Sequence, residues 1–282
     1  MTFSIVARSS DGQALGVAVA SKFLGVGAAV PAARAEVGAV ATQSYANLAY
    51  RPQALALLAT GVAATETVRA LIAADAGPVP HRQVGVVGTT GPGATFTGQE
   101  CHPWAGGVAG DDYAIQGNML AGPSVVGAVE AAWLSAAAAP FPSRLLGALS
   151  AGDAAGGDRR GRQSAALLVV SKGRGYGGTS DVWVDLRVDD HPEPVTELAR
   201  LLDLHTLYFG RPDPATLIPL TGEAADEVRS LLTGRGETDP DLDRALASWA
   251  GVANLEERLV PGSIDPLVLD QLRTAADTPG LS

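Results

Sequence analysis

The chain has 282 residues, enough for one large domain or for a domain of about 200 residues with a small appendage. Its net charge of −10 at pH 7 argues against nucleic acid or an anionic membrane as the main partner, and its single cysteine, Cys101, excludes an internal disulfide framework. The sequence shows neither the pattern of a secretory signal nor an apolar run long enough to span a membrane, so we expect a soluble cytoplasmic protein.

The first hundred residues are predicted to contain strands separated by one pair of helices. Asp11-Gly12 is a strong hairpin signal, Pro52 suits the first turn of a helix, and Thr65 is a candidate helix cap. The predicted elements are strands over 2–7 and 15–20, further strands between 25 and 45, helices over 52–61 and 65–76, and a hairpin of strands over 83–88 and 94–97.

The remaining chain is predicted to repeat the order of strands, two helices and strands, and then to become mainly helical. The predicted elements are a strand over 113–115 that breaks at Gln116-Gly117-Asn118, helices starting at Pro123 and after Pro142, strands over 164–171 and 182–188, and a helix over 193–208. Strands in blocks and helices in pairs favour an α+β fold with two antiparallel sheets stacked between two helix layers, not alternating βαβ units. We therefore predict such a body over residues 1–210 and a small helical module over 211–282.

The start of the chain carries the main chemical signal. Thr2 follows Met1 and is small enough for the initiator methionine to be removed. Threonine would then hold its hydroxyl and a free α-amine on one residue, and such an amine is a recognised base for activating that hydroxyl. Its unperturbed pKa of about 7.7–8.0 suits a general base near neutral pH.

Five segments carry a resemblance to a known family. They are T-F-S-I-V-A-R, G-V-A-V-A-S-K, V-G-A-V-A-T-Q-S-Y-A-N, Y-A-I-Q-G-N-M-L-A-G and G-G-D-R-R-G-R-Q-S-A-A. In this order they resemble the domain of unknown function 1028 family, which is grouped with the N-terminal nucleophile (Ntn) hydrolases. The resemblance covers about residues 1–200 and implies a four-layer αββα fold. Residues from about 210 resemble a peptidoglycan-binding-like module often fused to this family.

A more distant similarity to proteasome-type threonine hydrolases implies roles for single residues. In those enzymes a lysine tunes the nucleophile, a Gly-rich turn supplies the oxyanion hole, and an Asp and a Ser support the amine. The matching positions are Thr2 as nucleophile, Lys22 as the lysine, Gly117 and Asn118 as the oxyanion turn, and Asp158 and Ser164 as the supporting pair.

Other polar residues are candidates for binding the substrate. The charged run Asp158, Arg159, Arg160 and Arg162 precedes a buried strand and suits either ordering of the N-terminus or binding of a substrate carboxylate. The substrate-binding candidates are Gln43, Ser44, Tyr45, Asn47, Arg160 and Arg162. Each assignment has a structural alternative: tight-turn glycines, a solvated lysine, a solvated loop with weak ion pairs, and ordinary turn residues.

These observations lead to one expectation and one alternative. We expect an amidohydrolase acting on carbon–nitrogen bonds, with a small-molecule or peptide amide as substrate and neither metal nor cofactor. We also expect a homo-oligomer that binds neither nucleic acid nor membrane. The alternative is a non-catalytic protein of the same fold that binds a small ligand or directs assembly.

Overall fold

The computed structural model describes residues 2–274 of the chain. Met1, whose removal the sequence predicts, lies outside these residues, as do residues 275–282 of the predicted C-terminal module. The chain divides into two compact units between Leu202 and Asp203, within a helix, whereas the sequence predicts a boundary near residue 210.

The first unit contains a six-stranded antiparallel sheet. Its strands, in spatial order, are β10 (Val182–Val188), β9 (Ser164–Ser171), β2 (Ala14–Ser21), β1 (Thr2–Arg8), β8 (Tyr113–Asn118) and β7 (Gly106–Ala109). The first described strand is therefore central, paired with β2 on one side and β8 on the other. Both of its faces are buried, which explains why it is apolar on both faces.

A second antiparallel sheet of four strands belongs to the same unit. Its spatial order is β3 (Pro31–Arg34), β4 (Gly38–Gln43), β5 (Gln83–Gly88) and β6 (Ala94–Thr97). The helices of this unit are α1 (Val26–Ala29), α2 (Tyr50–Ala59), α3 (Ala64–Ala74), α4 (Ser124–Ser135), α5 (Phe141–Ala154) and the first part of α6 (Pro194–Phe209).

Three hydrophobic clusters show how these elements pack. Phe3 and Ile5 of β1 join a cluster with side chains of α4 and α5, including Trp133 and Leu149. A second cluster joins the two sheets through small and β-branched side chains, namely Val6, Leu15, Val17, Val19, Ala39, Ala41 and Val87. A third joins the four-stranded sheet to α2 and α3 through Val40, Val84, Val86, Leu58 and Leu71. Alternation along β1 thus supplies two cores from one strand.

Several predicted strands are confirmed, whereas the starts of two predicted helices are wrong. Strands β5, β6, β9 and β10 have the predicted bounds. Thr65 is not a helix cap, because α3 begins at Ala64 and its N-cap residue is Ala63. Helix α2 begins at Tyr50 and so places Pro52 inside its first turn, where a proline is still tolerated.

The predicted break at Gln116-Gly117-Asn118 is also wrong. These residues continue β8, which pairs with β1 along one edge and with β7 along the other. Pairing on both sides keeps the backbone extended where the sequence alone indicates a turn. Strand β7 was not predicted, since its Gly-Gly-Val-Ala sequence has little strand propensity.

The second unit is a small, mainly helical region. It contains α7 (Gly222–Thr233), α8 (Leu242–Val252), α9 (Pro266–Thr274) and a two-stranded sheet of β11 (Ile218–Pro219) and β12 (Ser263–Ile264). Its core is built from Val228, Leu232, Ala245, Leu246, Ile264, Val268, Leu269 and Leu272. The helical periodicity of these leucines is the feature that the sequence predicts.

A buried ion pair supports this unit. Arg258 and Asp265 side chains are 4% and 5% exposed, and Nη1 of the arginine is 2.5 Å from Oδ2 of the aspartate. The guanidinium also donates to the main-chain oxygens of Thr206 and Leu207. We expect Arg258→Met to lower the stability of this unit by about 3–5 kcal/mol, because it leaves a buried carboxylate without its partner.

Thermal unfolding followed by circular dichroism on the full chain would measure this loss. Arg244→Met is the matched control, since Arg244 forms an exposed pair with Asp239 and its loss should leave the stability nearly unchanged. Equal effects of the two substitutions would contradict the assignment.

Candidate functional site

A row of polar side chains lies at one end of the six-stranded sheet, beside the start of β1. Asn118 lies opposite Thr2 on one side, and Ser164 lies opposite Ser21 two strands away. Between them, Thr2 Oγ1 lies 3.0 Å from Ser21 Oγ. Asn118, Thr2, Ser21 and Ser164 are all buried, which is unusual for four adjacent polar residues at a strand end.

This row faces the second sheet. Side chains two residues apart on a strand share a face, so Thr2 lies on the same face as Ser4 and Val6. Val6 packs into the cluster between the sheets, and Ser4 Oγ donates to Gln43 Oε1 of β4 at 2.8 Å. The Thr2 hydroxyl therefore lies at one end of the space between the two sheets.

Three buried glutamines fill the polar part of that space. Gln43 Nε2 donates to Gln83 Oε1 at 2.8 Å and to the Thr2 carbonyl oxygen at 3.2 Å. Gln116 Nε2 donates to Ser4 Oγ at 2.6 Å. These amides tie β1 and β8 of the larger sheet to β4 and β5 of the smaller one. Buried polar groups of this kind favour one fixed arrangement when their partners are in place.

Gln83 is the centre of this network. Its Oε1 accepts from Gln43 and from Asn118 Nδ2, the latter at 2.9 Å. Its Nε2 donates to Thr97 Oγ1 at 2.9 Å and to the Gly117 carbonyl oxygen at 2.8 Å. One side chain thereby contacts the residue opposite Thr2, the main chain of β8 and a side chain of β6.

Gly85 makes room for the network. A Cβ atom at this position would lie 2.0 Å from Gln116 Oε1, so no larger residue fits without displacing that amide. Gln116 Oε1 itself has no hydrogen-bond partner within the described residues and is buried. The role of Gly85 thus depends on a side chain of the facing sheet.

Left-handed backbone conformations cluster beside the row. Ser44 and Tyr45, directly after Gln43, have φ of 57° and 52°, and Met119, directly after Asn118, has φ of 49°. Non-glycine residues adopt this conformation at a cost, and such strain is concentrated at functional sites. Strands β4 and β8, which both contribute residues to the network, are therefore each followed by a strained turn.

The turn after Gln43 is held by a partly buried ion pair. Arg82 donates to the Tyr45 carbonyl oxygen, and its Nε lies 2.9 Å from Asp75 Oδ2. Tyr50 Oη donates to the same carboxylate oxygen at 2.7 Å. Burial alone would raise the pKa of Asp75, but the hydrogen bonds from Arg82, Tyr50 and the Gly77 amide outweigh it and hold the pKa well below its ordinary value.

This depressed pKa predicts how Asp75→Asn behaves with pH. A carboxyl group whose pKa falls on folding stabilises the protein fully above its unfolded pKa, here 3.8, and loses that effect as the pH falls through the folded value. We expect Asp75→Asn to lower the free energy of unfolding by about 2 kcal/mol at pH 7 and by less at pH 3.

Urea unfolding at the two pH values measures this difference. Asp185→Asn is the control, because Asp185 forms an exposed pair with Arg187 and should change stability by about 0.5 kcal/mol or less. A loss for Asp75→Asn that is the same at both pH values would refute the linkage.

The predicted serine, Ser164, belongs to the row and the predicted Lys22 and Asp158 lie beside it, but the contacts of all three differ from the predicted roles. Lys22 is exposed and its Nζ donates to the Arg162 carbonyl oxygen at 3.2 Å. Asp158 Oδ2 accepts from the Lys22 amide at 2.8 Å, and Ser164 Oγ accepts from the Val26 amide at 3.1 Å. Asp158 and Ser164 therefore hold the segment after β2, and the Thr2 hydroxyl contacts Ser21.

The remaining predicted residues are divided between the network and the surface. Gln43 is in the network. Tyr45 is 60% exposed and its ring lies 5.0 Å from that of His81, while Asn47 Oδ1 accepts from the Ala49 amide at 3.1 Å in a local turn. Gly117 and Asn118 flank Thr2 from β8 as strand residues, and so do not form the predicted turn at the start of a helix.

A cleft of about 570 Å³ opens beside these elements. It is lined by Ala121, Asp153, Ala154, Gly156, Asp158, Arg159, Gly161, Arg162 and Pro192. Arg162 bonds to Asp153 and Glu193, and Arg160 bonds to Asp158. Thr2, which is 6% exposed, is not among the lining residues.

Sequence reasoning missed the roles of three residues at the site: Ser21, Gln83 and Gln116. The available signal was weak, consisting of polar residues at the ends of otherwise apolar strands, as in A-V-A-S and Q-V-G-V-V-G. Their partners lie on other strands or on the facing sheet, which no local pattern shows.

The geometry defines a two-sheet protein with a buried threonine at the head of a central strand, and comparison identifies its family. The model of the family of unknown function DUF1028 matches residues 2–198, so the chain belongs to that family. The model described as "Putative peptidoglycan binding domain" matches residues 208–272.

A solved structure supports the same family. The chain is similar to protein SPO2555 from Silicibacter pomeroyi, a DUF1028 protein, with 31% identity and a TM-score of 0.65. The match covers 80% of this chain and 92% of that one. No curated protein matches the sequence.

Two features are absent from residues 2–274. None of the helices there has the length and apolar character needed to cross a membrane. Nor do three or more His, Cys, Asp or Glu side chains come together there as ligands for a metal ion.

Proposed function

We propose that the first unit is an amidohydrolase of the N-terminal nucleophile type, with Thr2 as nucleophile once Met1 has been removed. The observation that carries the proposal is the position of the Thr2 hydroxyl. It lies at the head of a central strand, 3.0 Å from a second hydroxyl on Ser21, at the polar end of the space between two sheets. The two sheets with helices against their outer faces support assignment to the four-layer αββα fold of that class.

The proposed reaction uses groups of Thr2 itself. Removal of Met1 turns the Thr2 amide nitrogen into an α-amine, which accepts the hydroxyl proton as Oγ1 attacks the substrate carbonyl. The tetrahedral intermediate collapses to an ester on Thr2, and the leaving amine takes the proton. Water then hydrolyses the ester and regenerates the hydroxyl. Ser21 orients Oγ1 through the hydroxyl–hydroxyl contact.

Asn118 is the proposed oxyanion donor. It lies opposite Thr2 in the register, and Gln83 fixes its amide through the 2.9 Å bond from Nδ2 to Oε1. A side-chain amide carries two N–H donors, so the second can serve the developing negative charge. Donors fixed in advance are worth about 3–4 kcal/mol each in such sites. The Asn118 side chain on β8 would thus bind the oxyanion, a role that the sequence analysis assigns to a turn at Gly117 and Asn118.

The alternative function is a non-catalytic protein that binds a small ligand or directs assembly. One observation favours it: Thr2 is 6% exposed and does not line the 570 Å³ cleft. The two functions differ in what they require of Met1. Catalysis needs a free amine on Thr2, whereas a binding protein does not.

Intact mass of the protein purified from its own host tests the proposal directly. We expect the mass of the chain without Met1, together with covalent labelling of Thr2 by an electrophile that reacts with N-terminal threonine. Peptide mapping would locate the label. A retained methionine in all of the protein would refute the proposal and leave the binding function.

A further inference from the structure

Among the residues that line the 570 Å³ cleft, Arg159 carries a cationic side chain without a partner in the described part of the chain. The other charged lining groups are engaged. Arg162 Nε is 2.9 Å from Asp153 Oδ1 and its Nη1 is 3.1 Å from Glu193 Oε1, while Asp158 accepts from the Lys22 and Arg160 amides at 2.8 and 2.9 Å. The Arg159 guanidinium is exposed and makes no hydrogen bond or ion pair with any other residue that the structure describes.

The backbone of Arg159 is fixed although its side chain is not. Its amide donates to the Met119 carbonyl oxygen at 3.3 Å, and the preceding Asp158 is buried and bridges to Leu120. Gly157 and Gly161, with φ of 46° and 108°, turn the chain on either side. A cation on a fixed backbone loses only side-chain freedom when it binds a ligand.

Two chains of contacts connect this arginine to Thr2. On one side, Met119, which bonds to Arg159, directly follows Asn118, the residue opposite Thr2. On the other, Asp158 binds the amide of Lys22, which directly follows Ser21, the residue in contact with the Thr2 hydroxyl. The cleft and the threonine therefore lie on the same end of the six-stranded sheet.

We propose that Arg159 binds a carboxylate of the substrate, and that the substrate is an N-acyl amino acid or a short peptide with a free C-terminal carboxylate. The planar guanidinium matches a carboxylate through two parallel N–H···O bonds. The cleft has the volume of a small-molecule site. The amide in the proposed substrate rests on the proposed function. The binding of a carboxylate by Arg159 does not.

A binding measurement tests the carboxylate without requiring turnover. The probes are N-acetylglycine, N-acetyl-alanine and N-acetyl-leucine, each paired with its neutral carboxamide, and binding to the full-length Thr2→Ala protein is measured by ligand-observed NMR and calorimetry. We expect at least one acid to bind about tenfold or more tightly than its carboxamide. Arg159→Gln should remove that preference and Arg159→Lys should restore part of it.

Arg69→Gln is the matched control, because Arg69 is an exposed arginine of the same unit that pairs with Glu66. It should leave binding unchanged. Equal binding of acids and carboxamides, binding of neither, or a preference that survives Arg159→Gln would overturn the inference. Tighter binding of methylphosphonate than of every acid would also overturn it in favour of a phosphate site.

The outcome also separates the two proposals. If the acids bind through Arg159 but the wild-type protein hydrolyses none of them and carries no label on Thr2, the carboxylate site stands and the hydrolase fails. If the wild-type protein hydrolyses acids and carboxamides equally, the hydrolase stands and the carboxylate site fails.

Discussion

Replacing Thr2 with alanine is expected to lower amide hydrolysis by at least about 10³-fold and to abolish labelling by a threonine-directed electrophile. The substitution removes the oxygen that forms the acyl-enzyme, and loss of a nucleophile typically has effects of this size or larger. Thr2→Ser should retain activity within about tenfold, because it keeps both the hydroxyl and the N-terminal amine. A panel of acylated amines and amino acids with mass-spectrometric detection would measure the rates.

Folding must be shown to survive this substitution. Thr2 lies at the first position of β1 and contacts Ser21 through its hydroxyl, so Thr2→Ala also removes one buried hydrogen bond, worth about 1 kcal/mol. Unchanged circular dichroism and a melting temperature lowered by only a few degrees would therefore accompany the loss of activity. If Thr2→Ala keeps the wild-type rate, Thr2 is not the nucleophile.

The fold was largely predictable because its main signals are local. Strand β9 is a continuous apolar run and β5 and β6 flank a Gly-Pro-Gly turn, so their bounds follow from pattern alone. The break expected at Gln116-Gly117-Asn118 shows the limit of such signals. Polar and glycine residues indicate a turn in isolation, but strands on both sides of β8 satisfy its backbone and hold it extended.

The candidate site was predictable at its first residue and less so around it. The position of Thr2 at the head of a strand follows from the sequence. Its contact with Ser21 in place of Lys22 follows from strand alternation, since consecutive residues point to opposite faces and the register places Ser21 on the face that Thr2 occupies. The glutamine network could not be predicted from local sequence patterns, because Gln43 and Gln83 contact Ser4 and Asn118 only across the two facing sheets.

The same network gives the largest expected effect on stability. Gln83→Ala should lower the free energy of unfolding by about 3–5 kcal/mol. It opens a cavity and removes the acceptor of Gln43 and Asn118 and the donor to Thr97 and the Gly117 carbonyl oxygen, all in a region from which water is excluded. Because Asn118 lies opposite Thr2, the substitution should also lower the rate of any Thr2-dependent reaction.

Gln163→Ala is the matched control for this effect. Gln163 is in the same unit, and its amide makes an exposed hydrogen bond to Asp190, so its loss should change stability by about 0.5 kcal/mol or less. Urea unfolding of the two variants, with the midpoint and slope fitted separately, distinguishes a loss of stability from a change in the unfolded state. Similar midpoints for Gln83→Ala and Gln163→Ala would mean that the inter-sheet amides do not stabilise the fold. In that case the fixed position of Asn118 beside Thr2 would need another physical cause.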